Sequence, residues 1–288
     1  MLKHIRNFID VTRLNKPIGF LLLFWPCSWG LSLALYFDND FNNFFYYLLL
    51  FFLGSVLMRS AGCIVNDIVD ENIDKKVFRT KNRVIASGKL KKTTAWIYVL
   101  FLCALALLVL LQFNFLTISL GIFSMIFAFS YPFMKRFTYW PQLFLGFTYN
   151  WGIVMAWTAI TNDINYLPVL LYIGAIFWTL GYDTIYGVQD ISDDEVIGVK
   201  STSIKFKDNL GLFVGICYLI SSISIVAVMA ILKINYTLVF LLFFVFSLFY
   251  QIKICKTQKP SLCLKAFKLN NFSGLMVFLS FFLINLDF

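Results

Sequence analysis

An all-α, polytopic membrane protein with nine transmembrane helices is the fold class this sequence predicts, on three observations. Of 288 residues, 60% are hydrophobic and only 14% are charged, against about a quarter charged in a soluble domain. Apolar runs of roughly twenty residues recur along the chain, each long enough to cross a hydrocarbon core of about 30 Å. The basic residues are confined to every second connection between those runs.

The first stretch carries Lys3, Arg6, Arg13 and Lys16. It is amphipathic and has no small-residue cleavage pattern, so it is expected to stay with the mature protein. Membrane helices are expected at about 17–36, 44–66, 94–112, 115–132, 141–160, 166–188, 210–231, 236–252 and 270–286. Except for Arg59 and Lys233, all 24 Lys and Arg fall in the N-terminal stretch and near 67–93, 133–140, 189–209 and 253–269. The positive-inside rule makes those segments cytoplasmic. The opposite connections hold Asp38, Asp40 and Asp163 with Lys233 as their one cation, so the N-terminus is expected inside and Phe288 outside. The chain reads as a single domain over 1–288. Two weakly repeated halves, about 1–137 and 138–252, are followed by a ninth helix.

A net charge of +9 gathered on one membrane face fits anionic lipid heads and anionic substrates, and argues against nucleic acid. The six cysteines stand singly at 27, 63, 103, 217, 255 and 263, and His4 is the one histidine. A zinc or haem site therefore lacks a ligand set.

Most of the 15 acidic residues fall in two clusters at helix ends on the cytoplasmic side. In the first, Asn66, Asp70 and Asp74 are four residues apart and step only about 40° each around a helix. In the second, Asp183, Asp190 and Asp194 fall within roughly 40° of one another. Like charges stacked at a membrane boundary need a compensating cation. All-oxygen ligands select a hard one, and Mg²⁺ bridging carboxylates to phosphate oxygens fits better than a closed Ca²⁺ cage. Arg79 and Arg83 follow the first cluster, Lys135 and Arg136 end the fourth helix, and Lys200 follows the second cluster. Metal plus cations describes a cradle for a diphosphate. Arg59 lies inside the second apolar run, where an ionisable residue is a functional candidate for a substrate carboxylate. Tyr149, Trp151, Trp157, Trp178, Tyr182 and Tyr186 lie near the helices that would wall such a site, and aromatic faces stabilise cations.

Asn66-x-x-x-Asp70-x-x-x-Asp74 together with Asp183-x-x-Tyr186-x-x-x-Asp190-x-x-x-Asp194 resembles the paired motifs of the UbiA superfamily of membrane prenyltransferases. Asn15-Lys16-Pro17-Ile18-Gly19, Leu23-Phe24-Trp25-Pro26, Arg59-Ser60-Ala61-Gly62-Cys63, Asn82-Arg83, Ser87-Gly88, Tyr131 to Arg136 and Ile197 to Thr202 are similar to its bacterial branch acting on 4-hydroxybenzoate. Val84-Ile85-Ala86 departs from that branch, in which a proline is expected. The resemblance implies a helical bundle around a central cavity, capped on the cytoplasmic side and open laterally to a lipid tail, in a bacterial inner membrane. It implies a polyprenyl diphosphate donor, 4-hydroxybenzoate as acceptor, and a step of ubiquinone biosynthesis. Asn66, Asp70 and Asp74 would hold one Mg²⁺, and Asp190 with Asp194 another. Arg79, Arg83, Lys135, Arg136, Tyr186 and Lys200 would bind the donor, and Asp183 or Asp67 would accept the ring proton. A menaquinone precursor, homogentisate or haem are the alternative acceptors; Arg59 and the Tyr131 to Arg136 stretch favour 4-hydroxybenzoate. A membrane transporter, the rival of another class, should place its polar residues near mid-membrane, not at one end.

Overall fold

A computed structural model describes residues 2–286, and side chains from His4 onward; Phe288, on which the expected outer end of the chain falls, lies outside them. Among the described residues every regular element is helical. In chain order they are α1 (Leu2–Thr12), α2 (Ile18–Asp38), α3 (Phe41–Val69), α4 (Glu71–Asp74), α5 (Lys92–Leu110), α6 (Phe115–Phe137), α7 (Pro141–Asn150), α8 (Gly152–Thr161), α9 (Tyr166–Gly187), α10 (Ile191–Ile197), α11 (Thr202–Lys205), α12 (Leu210–Leu232), α13 (Leu238–Cys255) and α14 (Pro260–Leu283). Nine stretches among the described residues are long and apolar enough to cross a membrane, as the hydropathy predicted, and the protein is a multi-pass membrane protein.

The helix ends follow local chemistry. Asp40 starts α3 three residues ahead of the predicted 44, because its Oδ1 accepts from the backbone N–H of Asn42 (2.9 Å) and Asn43 (3.1 Å). Asn114 and Asn165 cap α6 and α9 in the same way. The last span begins at Pro260, ten residues before the expected start. Lys265 and Lys268 lie on its first turns, where the sequence suggested a loop. Proline at the first helical position has no N–H to leave unpaired, so it starts a helix readily. The fifth span breaks at Trp151 into α7 and α8 without a proline to announce it.

The core lies where α2, α9, α12 and α14 meet. Trp29 stacks obliquely on Trp178 at 5.0 Å between centroids, and the Trp178 indole N–H donates to Asn270 Oδ1 (2.8 Å). Asn270 and Tyr218 both donate to Gln251 Oε1, at 2.9 and 2.7 Å. Such bonds hold helices together where apolar burial alone does not discriminate protein from lipid. A second cluster packs Val11 of α1 against Ala61, Ile64 and Ile68 of α3 and against Ile85 and Leu90 of the loop after α4. That contact lays the amphipathic α1 across the acidic end of α3.

Gly152 sets how closely α8 approaches α2: a Cβ there would stand 2.3 Å from Cys27 Sγ. Gly152→Ala should therefore cost about 1–3 kcal/mol of stability through overpacking, read as a lowered unfolding temperature in detergent. Adding Cys27→Ala should restore most of it. A Gly152→Ala protein as stable as the wild type would show that the two helices are free to separate.

Candidate active site

Both acidic segments face one cavity of about 1260 Å³. Asn66, Asp67, Asp70 and Asp74 reach it from the end of α3 and from α4; Asp183, Tyr186, Asp190 and Asp194 reach it from α9 and the turns beyond. The first motif is not one continuous helix, since α3 ends at Val69. Hydrogen bonds from Asp70 N to Asn66 O (2.9 Å) and from Asp74 N to Asp70 O (2.8 Å) nevertheless carry the four-residue step through the break. Beyond α9, a tighter 3-10 turn over Val188–Asp190 rotates the chain further per residue than an α-helix does. That turn places Asp190 opposite the loop following α4.

The predicted need for a compensating cation is met in the structure by side chains. Lys135 of α6 closes on Asp70 Oδ2. Arg83 Nη1 donates to Asp74 Oδ2 (2.7 Å) and to Asp67 Oδ1 (3.2 Å). Arg79 grips Asp190 with two nitrogens, Nε donating to Oδ1 at 2.7 Å, and gives its Nη1 to the Tyr186 hydroxyl (2.9 Å). The Phe78 N–H donates to Asp193 Oδ2 (3.1 Å), a second link between the two acidic segments. Arg13, in sequence just one cation of the basic N-terminus, also donates to Asp67 Oδ1, at 2.5 Å. Asp67 Oδ1 is thus shared by two guanidiniums.

Two of the expected diphosphate ligands stand apart. Arg136 Nη2 donates to the Val69 carbonyl (2.9 Å) and so caps the end of α3; it is absent from the cavity lining among the described residues. Lys200 lines the cavity but gives its Nζ to the Phe137 carbonyl (3.4 Å).

No three His, Cys, Asp or Glu side chains among the described residues converge into a closed metal cage. Asp70 Oδ1, however, is buried without a hydrogen bond, a state that costs about 1–3 kcal/mol unless a ligand relieves it. Burial pushes the Asp70 carboxyl above its usual range and the Lys135 charge pulls it back. Asn66, Asp70, Asp74, Asp190 and Asp194 offer only oxygen ligands or an amide, and they approach from two sides. This donor set fits a hard divalent ion that shares its remaining positions with phosphate oxygens.

Seven residues before Asn66, Arg59 sits about 10 Å further into the bundle. Its guanidinium lies over the Tyr149 ring at 5.6 Å, and its Nε is buried without a partner. Gly19 makes room for it, since a Cβ there would stand 2.9 Å from Nε. Tyr131, Tyr182 and Asp183 line the same stretch. Below them the lining turns apolar through Leu50, Phe51, Leu110 and Met155. Leu50 lies sixteen residues before Asn66 on the same helix, about 24 Å along its axis. Leu107 of α5 and Ile122 and Phe129 of α6 also line the cavity and are 48%, 59% and 51% exposed.

A helical membrane bundle whose paired acidic and basic side chains cap a long apolar cavity is the architecture of an enzyme acting on an anionic lipid. Residues 23–280 match the UbiA prenyltransferase family, and the chain belongs to that family. The 4-hydroxybenzoate octaprenyltransferase of Vibrio atlanticus is 40% identical over 279 residues, covering 96% of this chain and 97% of that protein. The mitochondrial 4-hydroxybenzoate polyprenyltransferase of Arabidopsis thaliana is 47% identical over 212 residues, 73% of this chain and 52% of that protein. Among solved structures, the UbiA homolog from Aeropyrum pernix K1 superposes with a TM-score of 0.76 at 19% identity, covering 90% of this chain and 96% of that one. The UbiA homolog from Archaeoglobus fulgidus bound to GPP and Mg²⁺ gives 0.71 at 15% identity, with 96% and 98% covered.

Lys135→Ala should leave Asp70 buried with its nearest remaining cation, Arg136, at 3.9 Å. A loss of about 1–3 kcal/mol is expected, measured as a lowered unfolding temperature in detergent. Asp70→Asn added to it should recover most of that loss. Two losses that simply add would show that the pair is not coupled.

Proposed function

We propose that this chain transfers a polyprenyl group from polyprenyl diphosphate to the ring carbon ortho to the hydroxyl of 4-hydroxybenzoate, a step of ubiquinone biosynthesis, with Mg²⁺ as cofactor. The observation that carries the reading is the convergence of both acidic segments on one cavity that continues into an apolar channel, in a chain 40% identical over nearly its full length to a 4-hydroxybenzoate octaprenyltransferase. Asn66, Asp70 and Asp74 would hold one Mg²⁺, and Asp190 with Asp194 would hold the other. Bound there, Mg²⁺ supplies charge neutralisation for the departing diphosphate.

The remaining work belongs to the protein. Arg79, Arg83 and Lys135 already stand beside the motif carboxylates, where they can stabilise phosphate oxygens that gain charge as the C–O bond breaks. Lys200 flanks them at the cavity edge. The prenyl tail enters sideways between α5 and α6, and apolar walls keep water from the allylic cation left when diphosphate departs. Tyr149, and Tyr186 beside the second motif, offer aromatic faces to that cation. Arg59 orients the acceptor carboxylate, placing the carbon ortho to the hydroxyl towards the donor. That carbon forms the new C–C bond, and Asp183 takes the proton whose loss restores aromaticity. Asp183 suits this role better than Asp67, which two guanidiniums hold.

The same reading places the acidic ends and their loops as a cap on the cytoplasmic side of a bacterial inner membrane, with the N-terminus inside. It takes 1–288 as one domain of two related halves, about 1–137 and 138–252, plus a ninth helix. In support, α3 is followed across Asp70 by the short acidic helix α4, and α9 across the Val188–Asp190 turn by the short acidic helix α10.

Asp70→Ala and Asp190→Ala should each abolish transfer by the purified protein while it still inserts into membranes. Chelation should silence the wild type and Mg²⁺ restore it; near-normal turnover in both variants, or after exhaustive chelation, would contradict the mechanism. Arg59→Leu should raise the KM for 4-hydroxybenzoate and leave that for the diphosphate nearly unchanged. The loss expected for a charge-assisted contact is roughly one to two decades in kcat/KM. A shift in the donor KM alone would move Arg59 to the phosphate side.

A further inference from the structure

Arg13, to which the proposed chemistry gives no role, is joined to the first acidic motif by a series of ion pairs. It directly follows α1 and has φ 57°, a left-handed backbone that non-glycine residues seldom adopt. Its guanidinium turns inward and reaches Asp67 Oδ1 at 2.5 Å. Asp67 is only 3% exposed. The same oxygen accepts from Arg83 Nη1 at 3.2 Å, and that nitrogen also donates to Asp74 Oδ2 at 2.7 Å. The order in space is thus Arg13, Asp67, Arg83, Asp74, running from the N-terminal helix to the last acid of the motif.

We infer that Arg13 is a positioning residue for donor binding: by neutralising Asp67 it leaves Arg83 on Asp74, facing the diphosphate. The inference rests on the prenyl-transfer reading. A buried carboxylate must be matched by a cation. With Arg13 present, Asp67 has two guanidiniums and Arg83 is divided between two acids. Without Arg13, Arg83 is the one cation left on Asp67 and is drawn off Asp74 and away from the diphosphate. No hydrogen bond of this path runs to Arg59; the Arg13 charge is within electrostatic reach of Arg59 and Tyr149, but Arg83 and Asp74 stand at the diphosphate end, so the larger effect falls on the donor. The contact of Val11 with the end of α3 and the bond from Asn7 Nδ2 to the Lys89 carbonyl (3.3 Å) hold α1 in place, which fixes where Arg13 starts.

The test uses the full-length protein in detergent and two readouts, the KM values for both substrates and the binding of inorganic pyrophosphate in the presence of Mg²⁺. Arg13→Gln should weaken pyrophosphate binding and raise the donor KM about ten-fold, leaving the acceptor KM within about two-fold. Arg13→Lys should recover most of the loss. Arg13→Gly suits the left-handed backbone but lacks the charge, and should be as poor as Arg13→Gln. The decisive variant is Arg13→Gln with Asp67→Asn. Removing the charge that draws Arg83 away should return the donor KM to that of Asp67→Asn alone, several-fold below that of Arg13→Gln. Losses that add in the double variant would place Arg13 on the phosphate itself and overturn the inference. Wild-type binding by Arg13→Gly, or equal rises in both KM values, would overturn it as well. A wild-type protein that fails to bind pyrophosphate with Mg²⁺ would overturn the prenyl-transfer reading together with it.

Discussion

A carboxylate taken out of water has to be matched by positive charge, and most of the architecture of this protein's acidic end follows from that. Asp67, Asp70 and Asp74 are buried at and just beyond the end of α3, and Asp183, Asp190 and Asp194 are half-buried at and beyond the end of α9. Each ionised carboxylate in such surroundings costs several kcal/mol unless it is paired. The chain meets this with cations from separate elements: Arg13 after α1, Arg79 and Arg83 from the loop after α4, and Lys135 from α6. Pairing therefore does more than neutralise charge. It joins the N-terminal helix, the loop beyond α4 and the second motif into one polar assembly over the mouth of an apolar cavity.

That assembly suits a substrate with a charged head and an apolar tail. A diphosphate would bring negative charge to a site already crowded with carboxylates, so divalent metal held by the motif acids would supply the neutralisation that the nearby guanidiniums, already paired with those acids, give only in part. The long apolar lining has room for an extended tail. Arg59 is not hydrogen-bonded into this assembly: its buried Nε has no partner and its guanidinium lies over the Tyr149 ring, further into the bundle.

Much of this was legible in the sequence because hydropathy and charge confinement are strong, additive signals. All nine spans were visible, and so were the two acidic motifs, whose four-residue spacing survives the helix break at Asp70. The start of α14 was not visible, because Lys265 and Lys268 interrupt the apolar pattern on which the prediction relied. Nor was the break at Trp151, where the close approach to Cys27 is a tertiary fact with no local mark. Among site residues, Arg13 looked like any cation of a positive-inside segment, since nothing local tells an inward-turned arginine from a solvated one. Gly19 was noticed as part of a motif, but the space it leaves for Arg59 appears only once α2 and α3 are packed. The identity of each acid's partner was likewise beyond sequence reach, because those pairs join residues up to 111 positions apart.

If carboxylates from both motifs hold divalent metal around a single diphosphate, Mn²⁺ in place of Mg²⁺ makes the arrangement directly measurable by electron paramagnetic resonance in the presence of inorganic pyrophosphate. Two Mn²⁺ per chain are expected, magnetically coupled to one another and to phosphorus, with Asp70→Asn and Asp190→Asn each leaving a single ion. One isolated Mn²⁺ in the wild type, or two ions retained in both variants, would contradict it.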